Sequence, residues 1–198
     1  LNDLHARFAG KALIGEKTVN RRVLMIAHNI GYDFTFLHKH LKKVETIEPS
    51  CSSLINATGT YYRKGSNVGL DVVVQCSYAK ISKPLSAFGK MFKLEQAKEV
   101  LPYSVYTKEN IANKHLHVDA CVADLSKKDG DTFIVNCEKW GCIKDEYVDI
   151  VEYSARYCEM DCIVLCNGYN RFQSLIWEVC DSLNIERLNL DHYLTAAS

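Results

Sequence analysis

The chain has 198 residues, 47% hydrophobic and 24% charged, enough for one globular domain or one domain with an appendage. Lys and Arg number 24, as do Asp and Glu, so the formal net charge is zero. A broadly basic nucleic-acid coat is thereby excluded, and a polyanion would have to bind along a local stripe.

No apolar run approaches the roughly 20 residues of a membrane span, and the opening LNDLHARFAGKALIGEK does not read as a signal peptide. Arg22 to His28 (RVLMIAH) is a short apolar run that predicts a buried strand. Asn29, Gly31 and Asp33 interrupt it, and FTFLHKHLKK then predicts an amphipathic helix with Phe34, Leu37 and Leu41 on one face. Leu54 to Tyr62 and Leu70 to Cys76 read as strands separated by the turn-prone RKGSNVG. Lys83-Pro84 opens a helix to about Phe92, with Pro near its first turn. Residues 95–145 are polar and irregular, with helical stretches near 107–115 and 118–128. From Tyr147 the pattern is helical again, with Val148, Val151, Tyr157, Asp161, Val164, Leu165 and Gly168 on broad faces of one or two helices. Together these elements predict an α/β domain with a mixed sheet.

Nine cysteines is an odd number, with no CxxC pair and with Cys158, Cys162 and Cys166 at helical spacing. That pattern argues against a disulfide framework and for small buried hydrophobes in a reducing, intracellular compartment such as nucleus or cytoplasm. Cys137-x4-Cys142 with Cys158 and Cys162 is the one zinc candidate. The histidines show no ligand spacing. Lys39, Lys42 and Lys43 read as a wet helix face that duplex backbone could touch.

Two segments carry chemistry. AHNIGYDF has Asn29 and Asp33 where a strand meets a helix, and EYSARYCEMDCIVL has Tyr157 and Asp161 one helical turn apart on one face. A carboxylate is the ligand that Mg²⁺ prefers, and a neighbouring phenol can orient an attacking water; two-metal phosphodiester hydrolysis needs several carboxylates converging. Each segment alone also fits a plainer role, with Asp33 as an N-cap and Tyr157 and Asp161 as an exposed surface pair.

In their order and surroundings these segments resemble the 3′–5′ proofreading exonuclease domain of family B DNA polymerases, most of all the protein-primed branch of phages, linear plasmids, virophages and polinton-type elements. Asn29-x3-Asp33 is similar to the second exonuclease motif and Tyr157-x3-Asp161 to the third. Between them, QCSYAKISKPLSAFGKMFKLEQAKEVLPYSVY resembles the branch's connecting segment. There Ser77-Tyr78-x2-Ile81 fits a pattern whose first two residues contact single-stranded DNA, and Lys98 and Tyr103 fit the lysine and tyrosine after the Phe-Lys-Leu step. The ending LDHYLTAAS resembles the stretch that leads into the polymerase domain, so the likeness runs over residues 22 to 198.

The resemblance implies a ribonuclease-H-like α/β fold, a mixed sheet flanked by helices with its N-terminal strand missing. Residues 1–175 would be an N-terminally truncated exonuclease domain, and 176–198 the start of the connection to the polymerase domain. It implies that Asp33 and Asp161 ligate Mg²⁺ or Mn²⁺ and that Tyr157 positions the nucleophilic water. Asn29, Tyr32, Ser77, Tyr78 and Tyr103 would hold the unpaired primer terminus, with Tyr32 and Tyr78 offering ring faces that stack on any base. Lys98 would offset charge at the scissile phosphate. Against these stand a strand-end role for Ser77 and Tyr78 and a solvated surface role for Lys98. The implied partners are a single-stranded primer terminus, the polymerase domain of the same parent chain and, where priming is protein-based, a terminal protein; no membrane is implied.

One departure bears on activity. The family's first motif, Asp-x-Glu, should lie upstream of Asn29, yet residues 1 to 28 hold only Asp3 and Glu16, thirteen apart. With Leu1 rather than Met at the start, the chain reads as a piece cut after that strand, a fragment of a DNA-directed DNA polymerase without useful nuclease activity of its own. Three rival readings stand beside it: a catalytically inactive single-stranded DNA-binding module of the same fold, a free-standing exonuclease, and a structural zinc protein. The connecting segment at 76–103 and the LDHYLT ending speak against the free-standing enzyme.

Overall fold

The computed structural model of the chain describes residues 1–14, 17–48 and 54–193; Glu16, Cys51 and the closing residues from Leu194 lie outside these. The chain divides into two units, Leu1–Lys83 with Leu175–Ser198, and Pro84–Ser174.

In the first unit, α1 (Asn2–Phe8) precedes a hairpin of β1 (Lys11–Ile14) and β2 (Lys17–Asn20). There follow β3 (Arg22–Ala27), α2 (Gly31–Leu37), β4 (Leu41–Ile47), β5 (Asn56–Tyr62) and β6 (Gly69–Cys76). They form one mixed sheet in the order β3-β6-β5-β4, in which only β3 and β6 run parallel. The run GLDVVVQC of β6 is buried at all but Asp71, as befits a central strand covered on both faces. Gly65, at φ 82°, supplies the left-handed residue of the turn between β5 and β6. Ile30 and Phe34 pack with Leu41, Ala57, Leu70, Val72 and Val74 into the core of this unit.

Two expectations need correction here. The apolar run from Arg22 is a strand, but an edge strand that is only half-buried: Leu24 is 37% exposed, and among the described residues β3 pairs with β6 alone. The helix expected from Phe34 to Lys43 instead starts at Gly31 and ends at Leu37, with a 3-10 turn over His38–His40. Leu41 to Lys43 belong to β4. Leu41 pairs with Tyr61 across the ladder and still buries its side chain beside Phe34, so helix and strand together mimic one helical stripe.

In the second unit a 3-10 turn over Leu85–Ala87 runs into α3 (Phe88–Phe92). Next come α4 (Lys108–Asn113), β7 (His115–His117), α5 (Val118–Val122), α6 (Lys127–Trp140), β8 (Ile143–Lys144) and β9 (Tyr147–Asp149). The three short strands form an antiparallel sheet in the order β7-β9-β8. The 33-residue helix α7 (Ile150–Ser182) completes the set, and its end from Leu175 belongs to the first unit. Asp149 Oδ1 caps it by accepting from the N–H groups of Val151 and Glu152, at 3.0 and 2.9 Å.

The stretch expected to be irregular thus carries a small sheet and a 14-residue helix, and Val148 sits on a strand rather than a helix. Ser126 caps α6 by accepting from the Asp129 N–H, and Gly141, at φ 66°, ends it. Its buried face is Gly130, Phe133, Asn136 and Cys137, too polar to show as a hydrophobic stripe. Phe133 and Cys137 join Cys121, Val148, Ile150, Tyr153 and Tyr157 in the unit's own core. Two tyrosines tie the two ends of this lobe together: Tyr153 OH donates to Val100 O at 2.7 Å and Tyr106 OH to Ile150 O at 3.1 Å. Gly168 lets α7 lie against α3, because a Cβ there would fall inside the buried Phe88 ring.

No disulfide forms among the described cysteines. Cys76, Cys121, Cys137, Cys142 and Cys180 are buried as expected, but the stripe Cys158, Cys162 and Cys166 faces solvent. No helix among the described residues is long and apolar enough to cross a membrane.

Candidate functional site

The residues singled out in the sequence fall into two groups, one in each unit. In the first unit β3 ends at Ala27, and the chain turns through Asn29, held at φ 59° in the left-handed region that Asn tolerates. Ile30 is fully buried and anchors the entry to α2, which leaves Asn29, Tyr32 and Asp33 on the exposed side. Tyr32 is 73% exposed and meets Phe36 edge to face, with ring centroids 5.2 Å apart. Asp33 stands in the first turn of α2, whose N-cap position is held by Ile30, so the N-cap alternative falls. Although solvent reaches it, the protein around its carboxyl raises the pKa above the ordinary carboxylate value by desolvation.

Ser77 and Tyr78 follow the end of β6, the parallel neighbour of β3, and so come next to the Ala27–His28 corner. The Ser77 hydroxyl donates to Ala27 O at 3.1 Å and lies 2.9 Å from His28 Nδ1. A hydroxyl has one hydrogen, so with Ala27 O taking it the His28 Nδ1–H donates into the hydroxyl oxygen. The Tyr78 ring stands edge to face on His28 at 5.4 Å and is 45% exposed. Sequence reading passed over His28: its partners lie 49 and 50 residues away, and no local spacing signals them.

In the second unit Lys98, Tyr103, Tyr157 and Asp161 come together. Lys98 Nζ lies 3.4 Å from Asp161 Oδ2 and 5.6 Å from the centroid of the Tyr157 ring. The hydroxyls of Tyr103 and Tyr157 are 3.5 Å apart, with Tyr103 71% exposed and Tyr157 buried. Burial, above all, pushes the Tyr157 phenol far above its ordinary pKa, helped by its contacts with the Tyr103 hydroxyl and the Asp161 carboxylate. It is therefore a neutral hydrogen-bond donor throughout the physiological range. The plainer alternative of an exposed Tyr/Asp surface pair fails at the buried tyrosine, and Lys98 is ion-paired rather than merely solvated.

Asp161 Oδ1 is buried and has no hydrogen-bond partner. A desolvated carboxylate oxygen left this way is costly unless something outside the protein takes it. It is also the hard donor that Mg²⁺ or Mn²⁺ seeks, so the donor type fits such a cation. The count is short, because among the described residues no three His, Cys, Asp or Glu side chains gather to hold a metal. The zinc alternative meets the same obstacle: Cys137 and Cys142 are buried, with the Cys137 thiol pushed up to about 12 mainly by burial, while Cys158 and Cys162 face solvent.

No curated protein matches the chain. Among solved structures it is similar to Phi29 DNA polymerase complexed with single-stranded DNA, at 16% identity and a TM-score of 0.33. That likeness covers 62% of this chain and 24% of that one. A family model described as DNA polymerase type B, organellar and viral, matches residues 15–198, and the chain belongs to that family.

Proposed function

We propose that this chain comprises most of the 3′–5′ exonuclease domain of a type B polymerase of the protein-primed branch, ribonuclease-H-like in fold, a domain directed at the unpaired 3′ end of a primer. The observation that carries the reading is the cluster of Lys98, Tyr103, Tyr157 and Asp161. Lys98 and Tyr103 are separated from the other two by more than fifty residues of chain, and the resemblance marks each of the four as a site residue, Tyr103 for the primer terminus and the other three for the chemistry. Surface residues chosen at random do not converge in this way.

In this reading Asp161 and Asp33 hold Mg²⁺ or Mn²⁺, which when bound polarises the phosphate and lowers the pKa of a bound water. Tyr157 keeps its proton and donates to the attacking water, fixing its direction without acting as a base. The Lys98 ammonium shares its charge with Asp161 at rest and offsets the charge that grows on the phosphate oxygens. Tyr32 and Tyr78 present exposed rings to bases, and Ser77 with Asn29 supplies polar contacts that do not depend on base identity. The parent chain would add its polymerase domain and, where priming is protein-based, a terminal protein.

The absence of a three-ligand group among the described residues favours a second reading, a module that grips single-stranded DNA without cutting it. One assay separates the two. In a polypeptide extended upstream to an Asp-x-Glu pair, 5′-labelled single-stranded DNA with Mg²⁺ is expected to shorten from its 3′ end and to be spared by a chelator. Binding without any shortening in that extended polypeptide would leave the inactive module as the answer.

A further inference from the structure

One buried cation has no role in the chemistry above. Lys80 is 3% exposed, and its ammonium donates to Gln75 Oε1 and to Leu190 O, both at 2.7 Å. Gln75 in turn donates from Nε2 to Asp191 O at 3.3 Å, and both Gln75 and Leu190 are buried. Burying an ammonium is costly, and the cost is offset only where hydrogen bonds satisfy its protons. Here the acceptors lie 5 and 110 residues away in sequence, so the side chain clamps the end of β6 to the segment around residue 190. Trp177 steadies the same segment by donating from Nε1 to Leu188 O at 2.9 Å.

Lys80 also lies two residues past Tyr78. The turn between them is closed tightly, because the backbone N–H groups of Lys80 and Ile81 both donate to Ser77 O, at 3.0 and 2.7 Å. Ser77 is fixed at its other side, where its own N–H donates to Ala27 O at 2.8 Å. A turn this short, held at both ends, cannot move its Lys80 end without moving Ser77 and Tyr78.

We propose that Lys80 is a positioning residue for the single-strand grip, through which occupancy of Ser77 and Tyr78 is felt at residues 188–192 and the docking of that segment is felt at the grip. The proposal rests on the reading of Ser77 and Tyr78 as DNA contacts. Such coupling is reciprocal, so each end must alter the other by the same factor.

The test uses the chain with an oligothymidylate, reading affinity and amide hydrogen exchange at 188–192. Oligothymidylate is expected to slow exchange there by about fivefold or more. Lys80→Met keeps the aliphatic stem and removes the ammonium; it is expected to bind about fivefold more weakly and to abolish the response of the segment. Gln75→Glu leaves Lys80 paired but turns the donor facing Asp191 O into an acceptor, and it is expected to abolish the response even should Lys80→Met fold poorly. Tyr78→Ala is the control for the grip. Tyr78-dependent binding with no response at 188–192, or a full response in both variants, overturns the proposal alone. Binding that is absent, or indifferent to Tyr78→Ala, overturns the grip reading and the proposal with it.

Discussion

At the residue scale, the two carboxylates differ in what surrounds them. Asp161 gives one oxygen to Lys98 and keeps the other buried and unpartnered. In the upstream-extended polypeptide, Asp161→Ala and Asp33→Ala are each expected to slow 3′–5′ degradation by at least about 100-fold. Tyr157→Phe removes one hydrogen bond and is expected to cost only about tenfold. Circular dichroism must show each variant folded; a folded Asp161→Ala that still trims mismatched ends at the parental rate would remove Asp161 from the site. Asp33 adds a pH signature. Its carboxyl binds its proton more tightly in the fold than in the unfolded chain, so its contribution to stability is full in acid and is lost as pH rises through the raised pKa. Asp33→Asn is therefore expected to raise Tm near about pH 7 and to leave it unchanged near about pH 3. An equal shift at both pH values would mean that the carboxyl is not desolvated.

Elements obey the same physics on a longer length. Ala in place of Gly inside a helix ordinarily adds about 1 kcal/mol of stability. At Gly168 the packing against Phe88 outweighs that gain, and Gly168→Ala is expected to lower stability by about 1–3 kcal/mol in denaturant unfolding. A more stable variant would mean that α3 is not held against α7. What could be read from the sequence follows from how each element signals. β6 announced itself through three consecutive valines, β3 through RVLMIA, and α7 through the spacing of Tyr157, Asp161 and Val164. Beyond the start at Leu41, β4 gave no signal, because every side chain from Lys42 to Ile47 is exposed. α6 hid because its inward face includes Gly130 and Asn136, the latter satisfied by Glu99 Oε2 at 2.8 Å. The second-unit site was legible as residue types in order, whereas the His28 link to Ser77 depends on a parallel strand pairing that no local pattern encodes.

At the scale of the whole molecule, two expectations concern the chain as it stands. It is expected to leave no ladder from labelled single-stranded DNA with Mg²⁺, since among the described residues no three His, Cys, Asp or Glu side chains gather to fix two cations about 4 Å apart. Robust, chelator-sensitive digestion would overturn this. The apolar edge of β3 carries neither a bulge nor an internal charge to discourage pairing, so the chain is also expected to self-associate with rising concentration in light scattering. The cysteines give a map of the fold in solution: a maleimide should label Cys158, Cys162 and Cys166 in the native state and reach Cys121 and Cys137 only on unfolding, as their thiols are pushed up to about 11 and about 12 by burial. Native labelling of Cys137 would contradict the second-unit core. That core also sets a limit on evolutionary drift. Phe133, Cys121 and Val148 have no chemistry of their own, yet they belong to the same buried cluster as Tyr157, whose burial pushes its phenol far above the ordinary pKa. On the proposed reading, natural selection on editing would therefore reach core side chains that never touch DNA themselves, and a lineage could not loosen that core without also disturbing the seat of Tyr157.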